Sequence, residues 1–351
     1  MKYYYYVIAV ILIIFIVYLY NRFFKTTYIA VVEPIIVKNP ANPVVAVSFT
    51  PLIDEERIAY YLGDIRNLEV DKEYLSTTKL YTFDTIKDKY FVWGEHLKQY
   101  LRKHNLHNKN LLFDFESGDI SSPTNRYALV RNRSVNRQGN VDTKPILMKS
   151  MTLGRHWGNV YNKQTDTIPF QEKKNILFWR GATTGEEDRP GNRFDIVKMY
   201  YDKYPFIDVG YSGTCQGKEE MYSKYVKGGC DIKTFFEHKF ILSLEGNDKD
   251  SGINWKLNSD CVVVMPKPRH TSWLMEDKLI PNYHYVLIKD DFSDLLEKYE
   301  WMMNHLDECQ QIIQNANNYM KQFLDVEREE QIELEVVKRY LLKMNPTVTT
   351  I

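Results

Sequence analysis

Phe240-Ile241-Leu242-Ser243-Leu244-Glu245-Gly246-Asn247-Asp248-Lys249-Asp250-Ser251-Gly252-Ile253-Asn254-Trp255-Lys256-Leu257 runs from an apolar segment, through a polar loop, into a second apolar segment. The pattern predicts a buried strand over Phe240–Leu244 and a short helix over Ser251–Asn258, with Asp250 or Ser251 as its cap. In open α/β sheets, ligands bind beyond the carboxyl ends of the strands, and the free N–H groups at a helix start hold phosphate. A helix start contributes only about 0.3–1 kcal/mol towards a bound anion, so such a loop needs a cationic partner to become a site. Without one, the stretch is an ordinary capped strand–loop–helix.

The neighbouring sequence repeats the alternation. Strands are expected at Ile176–Trp179, Ile207–Val209, Cys261–Met265 and Tyr285–Ile288. Helices are expected at Arg193–Tyr201, Ser293–Leu306, Glu308–Leu324 and Glu327–Met344. Strands alternating with helices imply a parallel sheet covered on both faces. Upstream, Val44–Thr50 and Leu111–Phe115 read as strands, and Asp54–Leu62 and Val92–Lys103 as helices; the latter gathers Leu97, Tyr100 and Leu101 on one side. Residues 121–169 are too polar and turn-rich to give a prediction. This organisation suggests an α/β domain at 44–172, a second at 173–325 with a cleft between them, and a C-terminal helix and tail at 326–351. The last helix puts Ile332, Val336, Tyr340 and Met344 on one stripe, so it either crosses back to the first domain or packs locally.

The candidate cationic partner sits in the other loop. Trp179-Arg180-Gly181-Ala182-Thr183-Thr184-Gly185 also follows a strand. Arg180 offers bidentate bonds to phosphate oxygens, Thr183 and Thr184 offer hydroxyls, and the glycines let backbone amides approach closely. Arg193 adds a second guanidinium from the next helix. An arginine after a strand is equally suited to an ordinary ion pair.

The amino terminus reads differently. From Tyr3 to Phe24 there is no acidic residue, and Val7–Tyr18 is uninterrupted apolar sequence flanked by aromatic rings. About 20 such residues span a bilayer as a helix, with the rings at the interfaces. Residues 1–25 are therefore expected to anchor the chain in a lipid bilayer through residues 3–24. The Pro-punctuated residues 26–43 are expected to form a stem. A cleaved signal peptide fits less well, because no small-x-small site follows. Lys2 on one side and Arg22 and Lys25 on the other leave the orientation undecided by charge.

Lys+Arg and Asp+Glu both number 46, so no net field draws the chain onto nucleic acid. The four cysteines (Cys215, Cys230, Cys261 and Cys309) have no zinc-site spacing and leave any pairing open, with Cys215 and Cys230 the nearest pair. Asn132-Arg133-Ser134 is a glycosylation sequon. His156, Trp157, His270 and Glu276 are candidates either for sugar contacts or for packing.

Phe178-Trp179-Arg180-Gly181, the segment Leu242–Lys256, Asn258-Ser259 and Val262–Met265 resemble glycosyltransferase family 90. Trp273-Leu274, Leu279, Pro281, His284-Tyr285-Val286, Lys289 and Asp291-Phe292-Ser293-Asp294 are similar to that family's closing motif. The resemblance covers residues 175–325 well and the first half loosely. It implies a GT-B-like fold, two Rossmann-like domains facing a cleft, and inverting transfer of a hexose or xylose. The donor would be a UDP-sugar, with no metal and no further cofactor, and the acceptor a hydroxyl of a glycan or protein. Arg180, Thr183, Thr184, Arg193 and Ser251 would bind the donor. Asn254 departs from the arginine found there in protein O-glucosyltransferases, and Lys256 is the candidate to supply the missing charge. Asp119 aligns with the family's catalytic aspartate and would take the acceptor's proton. A type II membrane protein would follow, its catalytic region lumenal or otherwise non-cytoplasmic.

Two other readings remain open. Asp114 and Glu116 form an Asp-x-Glu similar to the metal motif of GT-A glycosyltransferases, two carboxylates suited to a divalent cation bridging the diphosphate. Alternatively, the chain is a membrane-tethered carbohydrate-binding protein that kept the fold and lost the activity.

Overall fold

Twenty α-helices and β-strands can be traced in the computed structural model, which describes residues 49–350 apart from 68–71, 88–91, 117, 120–125, 152–153 and 162–165. The expected anchor, the stem and most of the expected strand Val44–Thr50 lie outside the described residues. Among the described residues, no helix is long and apolar enough to cross a membrane.

In chain order the elements are α1 (Asp54–Leu62), α2 (Lys72–Thr77), α3 (Val92–Lys103), β1 (Leu129–Val130), β2 (Asn132–Ser134), β3 (Ile146–Leu147) and α4 (Gly154–Tyr161). Then come β4 (Lys174–Ala182), α5 (Arg193–Tyr200), β5 (Ile207–Gly213), α6 (Glu219–Tyr222), α7 (Ile232–Phe236), β6 (His238–Leu242), α8 (Ile253–Leu257) and β7 (Val262–Met265). The chain closes with β8 (His270–Ser272), β9 (Val286–Leu287), α9 (Leu295–Asn304), α10 (Leu306–Lys321) and α11 (Val326–Met344).

Five strands form one sheet in the order β5-β4-β6-β7-β9, every pair parallel. The expected α/β organisation with a parallel sheet is therefore present. Counting from β4 as the first strand, the order is 2-1-3-4-5, that of a doubly wound sheet. The chain leaves β4 towards one edge and β6 towards the other, so their carboxyl ends part and leave a crevice. Leu177, Trp179, Val209, Phe240, Leu242, Val262 and Val264 are all buried in the core against Phe194, Val197, Ile312 and Ile313 of the covering helices. β-Branched and aromatic side chains fit a sheet buried on both faces, which explains the near-continuous apolar runs.

The first half joins this body through specific contacts. β2 pairs antiparallel with β8, so Arg133 lies opposite Thr271. The last helix does cross back, and α11 packs on α1. Arg57 of α1 and Glu329 of α11 form a fully buried ion pair, with Nη2 2.8 Å from Oε2. The Trp273 indole donates to the same carboxylate at 2.5 Å and stacks on Tyr61 at 3.7 Å. These bonds satisfy the buried charges, which would otherwise be costly.

Leu111–Phe115 does not form the expected strand. Only isolated bridges hold it, Phe113 to Tyr81 and Phe115 to Leu129, and Tyr340 of α11 accepts the Asp114 N–H at 2.8 Å. The four cysteines are free thiols.

Candidate functional site

The loops after β4 and β6 meet at the crevice where the sheet order reverses. Gly185 has φ +100°, and a Cβ there would lie 2.8 Å from the Gly246 carbonyl oxygen. A Cβ on Gly246 would lie 2.4 Å from Thr184 Oγ1. Gly185 is confined by its positive φ and the Gly246 backbone, and Gly246 by the Thr184 and Arg193 side chains, so neither leaves room for a larger residue. The Gly185 N–H donates to Asn247 Oδ1 at 2.9 Å, fixing one loop to the other.

Arg193, the first residue of α5, locks this arrangement from below. Its guanidinium donates to Glu245 O at 3.0 Å, Leu244 O at 2.9 Å, Ala182 O at 3.1 Å and Thr184 Oγ1 at 2.7 Å. Burial pulls its pKa down, and Asp250 and Asp248 oppose that shift. The arginine thus satisfies loop carbonyls that would otherwise be orphaned, a structural task that uses most of its donors.

Arg180 and Thr183 are also engaged with the protein. Arg180 makes a bidentate pair with Asp208 of β5, at 2.9 and 2.8 Å, and covers the Phe178 ring. Burial would raise the Asp208 carboxyl, but bonds from Lys227 and Arg180 hold it below the ordinary value. Fully buried Thr183 accepts the Cys215 N–H at 2.8 Å and donates to the Cys215 carbonyl at 3.0 Å. Ser251 is half-buried at the end of the second loop. The cap of α8 is Gly252 instead of Asp250 or Ser251, and Asp250 accepts the Gly252 N–H at 2.9 Å.

Lys256 is buried beneath the loop. Its ammonium donates to Leu242 O at 2.9 Å and to Asp250 at 2.5 Å, so an internal carboxylate matches its charge. Burial lowers its pKa, and Asp250 counters the shift. Asn254 is fully buried; its Oδ1 accepts from Lys249 at 3.3 Å, and its Nδ2 has no partner among the described residues.

Asp119 reaches this loop pair from the first half of the chain, and its side chain is 33% exposed. One oxygen accepts from Asn247 Nδ2 at 2.9 Å, and the other accepts from Arg131. Arg131 also donates to buried Asp248, which accepts from Asn132 Nδ2 at 3.1 Å. Burial raises the Asp248 carboxyl, with Arg131 pulling the other way. The Arg131 guanidinium lies 4.6 Å from the Trp93 ring centroid of α3. Each Asp119 oxygen keeps a second lone pair, so the carboxylate retains room to accept a further hydrogen bond.

Beside these loops, a narrow cleft of about 30 Å³ opens at the ends of β6 and β7, lined by Arg189, Ser243, Glu245, Lys249, Lys267 and Arg269. Arg189 donates to the Gly246 carbonyl. His270 pairs with Glu245 at 2.9 Å, and Lys249 with Glu276 at 2.9 Å, which gives both sequence candidates, His270 and Glu276, a structural partner. Trp157 is buried against Tyr161 and Phe323, a packing role.

Asp114 is fully buried, with Arg126, the Tyr74 hydroxyl at 2.6 Å and the Phe115 N–H all donating to its carboxylate. A cation there would have to displace a guanidinium. Asn132 is fully buried, so the sequon offers no accessible acceptor in the folded chain.

Sequence reasoning missed Arg131, Asn247, Asp248 and Arg189. The one local signal was the density of charge in Asn247–Asp250 directly after a buried strand, where polar side chains must find partners.

A family model described as glycosyl transferase family 90 matches residues 150–350. The O-glucosyltransferase LpsA of Dichelobacter nodosus is 29% identical over 234 residues, covering 67% of this chain and 68% of that protein. Protein O-glucosyltransferase 2 of Danio rerio is 29% identical over 188 residues, half of this chain but 36% of that protein. The uncharacterized protein 179R of Invertebrate iridescent virus 6 is 29% identical over 198 residues, 48% of this chain and 17% of that protein.

Proposed function

The chain belongs to glycosyltransferase family 90, and we propose that it moves a hexose or xylose from a UDP-sugar to a hydroxyl of a glycan or protein. The names of two relatives, both O-glucosyltransferases, favour glucose as the sugar. The observation that carries the reading is Asp119 bound to Asn247 at the tip of the paired glycine loops. A carboxylate beside a strand-end crevice is what proton removal from an acceptor hydroxyl requires.

In this reading the diphosphate lies beside the loop pair at Gly185 and Gly246, where Arg189 supplies a cation. Negative charge developing on departing UDP is stabilised by that guanidinium. Arg180 joins the donor only by leaving Asp208, while Arg193, Thr183 and Lys256 act by holding the loops. Attack from the Asp119 side, opposite the leaving diphosphate, inverts the anomeric carbon. A GT-B arrangement, a bilayer anchor at residues 3–24 and a non-cytoplasmic catalytic region complete the proposal. The engagement of Asp114 with Arg126 argues against the metal-dependent alternative.

The test is UDP release by the purified full chain in detergent, across a panel of UDP-sugars, with and without EDTA. Turnover of one donor that survives EDTA is expected. Turnover abolished by EDTA would return the choice to a metal-dependent transferase. UDP binding without turnover on any acceptor would support a carbohydrate-binding protein.

A further inference from the structure

Away from the strand-end crevice, α3 carries rings at helical spacing, Trp93, His96, Tyr100 and, one residue beyond its end, His104. Neighbouring rings meet along this stripe, Trp93 with His96 at 6.3 Å and Tyr100 with His104 at 4.5 Å. At one end, Trp93 lies under Arg131, whose guanidinium holds Asp119. At the other end, the stripe opens into a cavity of about 390 Å³ between α3, the turn Lys149–Met151 and the first turns of α11. Trp93 and Tyr100 are seven positions apart in the helix, about 10 Å along the axis.

The cavity is polar without a dominant sign. Glu330 meets Lys103 at 2.6 Å and His104 at 3.2 Å. Glu333 accepts from Ser150 N at 2.6 Å and Ser150 Oγ at 2.7 Å. Lys149 donates to the Tyr161 hydroxyl at 3.2 Å. The Tyr100 side chain is 5% exposed, and its hydroxyl has no hydrogen-bond partner among the described residues. Burial pushes the Glu333 carboxyl up to about 7, so near neutrality it is partly a donor as well as an acceptor. A strongly anionic ligand would face two glutamates, and a cation two lysines. A neutral polyol meets both donors and acceptors there, with no charge of one sign to oppose it, within a volume suited to a small molecule.

We propose that this cavity binds a neutral saccharide, the part of a glycan acceptor remote from the hydroxyl that Asp119 deprotonates. Its role as acceptor rests on the transferase reading, whereas saccharide binding itself does not.

Saturation-transfer NMR on the full chain tests it, with maltose, cellobiose and lactose at millimolar concentration as probes. Inorganic phosphate, followed by calorimetry, is the anionic control. At least one disaccharide should bind the wild type and Asp119→Asn alike and persist under saturating UDP. Its affinity should fall about tenfold in Glu330→Ala and in Glu333→Gln, the loss of one hydrogen-bonding group. Glu330 is partly exposed, so its variant guards against loss of fold, which circular dichroism checks. No disaccharide binding, displacement by UDP, indifference to both substitutions, or phosphate binding in place of sugar would each overturn the proposal. Failure of UDP to bind would instead remove the transferase reading and leave the saccharide site standing.

Discussion

The Asn247 side chain donates to Asp119 at 2.9 Å across 128 residues of chain, while its own oxygen accepts the Gly185 N–H at 2.9 Å. One amide therefore ties the candidate base to the glycine loop on which the donor is proposed to lie. A hydrogen bond to a charged group contributes about 1.5–3 kcal/mol. Asn247→Ala should lower turnover about 10- to 100-fold, read as the rate of UDP release. Asp119→Asn should abolish transfer while UDP affinity stays within about threefold, because it removes the base and leaves the loops in place. A fully active Asp119→Asn would exclude that residue.

Gly185 is the position where the loop pair is most sensitive to volume. Alanine there would combine an unfavourable φ of +100° with a 2.8 Å contact to the Gly246 carbonyl. Strain of about 1–3 kcal/mol is expected. If the Gly185–Gly246 loop pair shapes the diphosphate site, UDP affinity should fall about tenfold or more by titration calorimetry. Unchanged affinity would move the diphosphate elsewhere.

Arg180→Ala should act on stability with a defined pH dependence. Asp208 has a depressed folded-state pKa, so its ion pairs stabilise the fold above the unfolded aspartate value and lose that effect as pH falls through the folded value. The gap in melting temperature between wild type and variant should be widest near neutrality and close below about pH 4. A constant gap across pH would indicate that packing over Phe178, not the ion pair, is what Arg180 contributes. The same variant shows whether the guanidinium leaves Asp208 for the donor, since UDP affinity then falls as well.

Glu333 gives the opposite sign. Its folded pKa is raised from 4.5 to about 7 by burial, against the Ser150 hydrogen bonds. The folded state therefore holds the proton more tightly, and stability is lost as pH rises from about 4.5 to 7. The wild-type melting temperature should decline over that interval, by the equivalent of on the order of 3 kcal/mol. Glu333→Gln should flatten the decline and be the more stable form at pH 8. A parallel decline in both proteins would assign the effect to other groups.

Periodicity is local, and it was legible. The bounds of α1 and α3 are those expected from their apolar spacing, and α11 starts one residue early. The strands of the parallel sheet are β-branched or aromatic runs between turn residues, and each appears within a few residues of its expected place. The loops after β4 and β6 could be identified because each follows such a strand with glycine and charge. Leu111–Phe115 misled for the same reason, since its apolar alternation is satisfied by isolated bridges and the Tyr340 hydroxyl instead of a ladder.

What the sequence could not determine is where each polar side chain spends its hydrogen bonds. Arg180 and Arg193 carry the residue type for a phosphate, yet they face Asp208 and the loop carbonyls. Lys256 offers a charge, yet Asp250 neutralises it. Asp119 acquires its neighbours only when Arg131 and Asn247 arrive from elsewhere in the chain. Helix and strand follow from residues a few positions apart, so the sequence alone determined the α/β pattern and the two loops. A buried charge takes whichever partner the folded backbone brings within about 3 Å, so only the tertiary structure decided which groups hold the scaffold and which face the crevice.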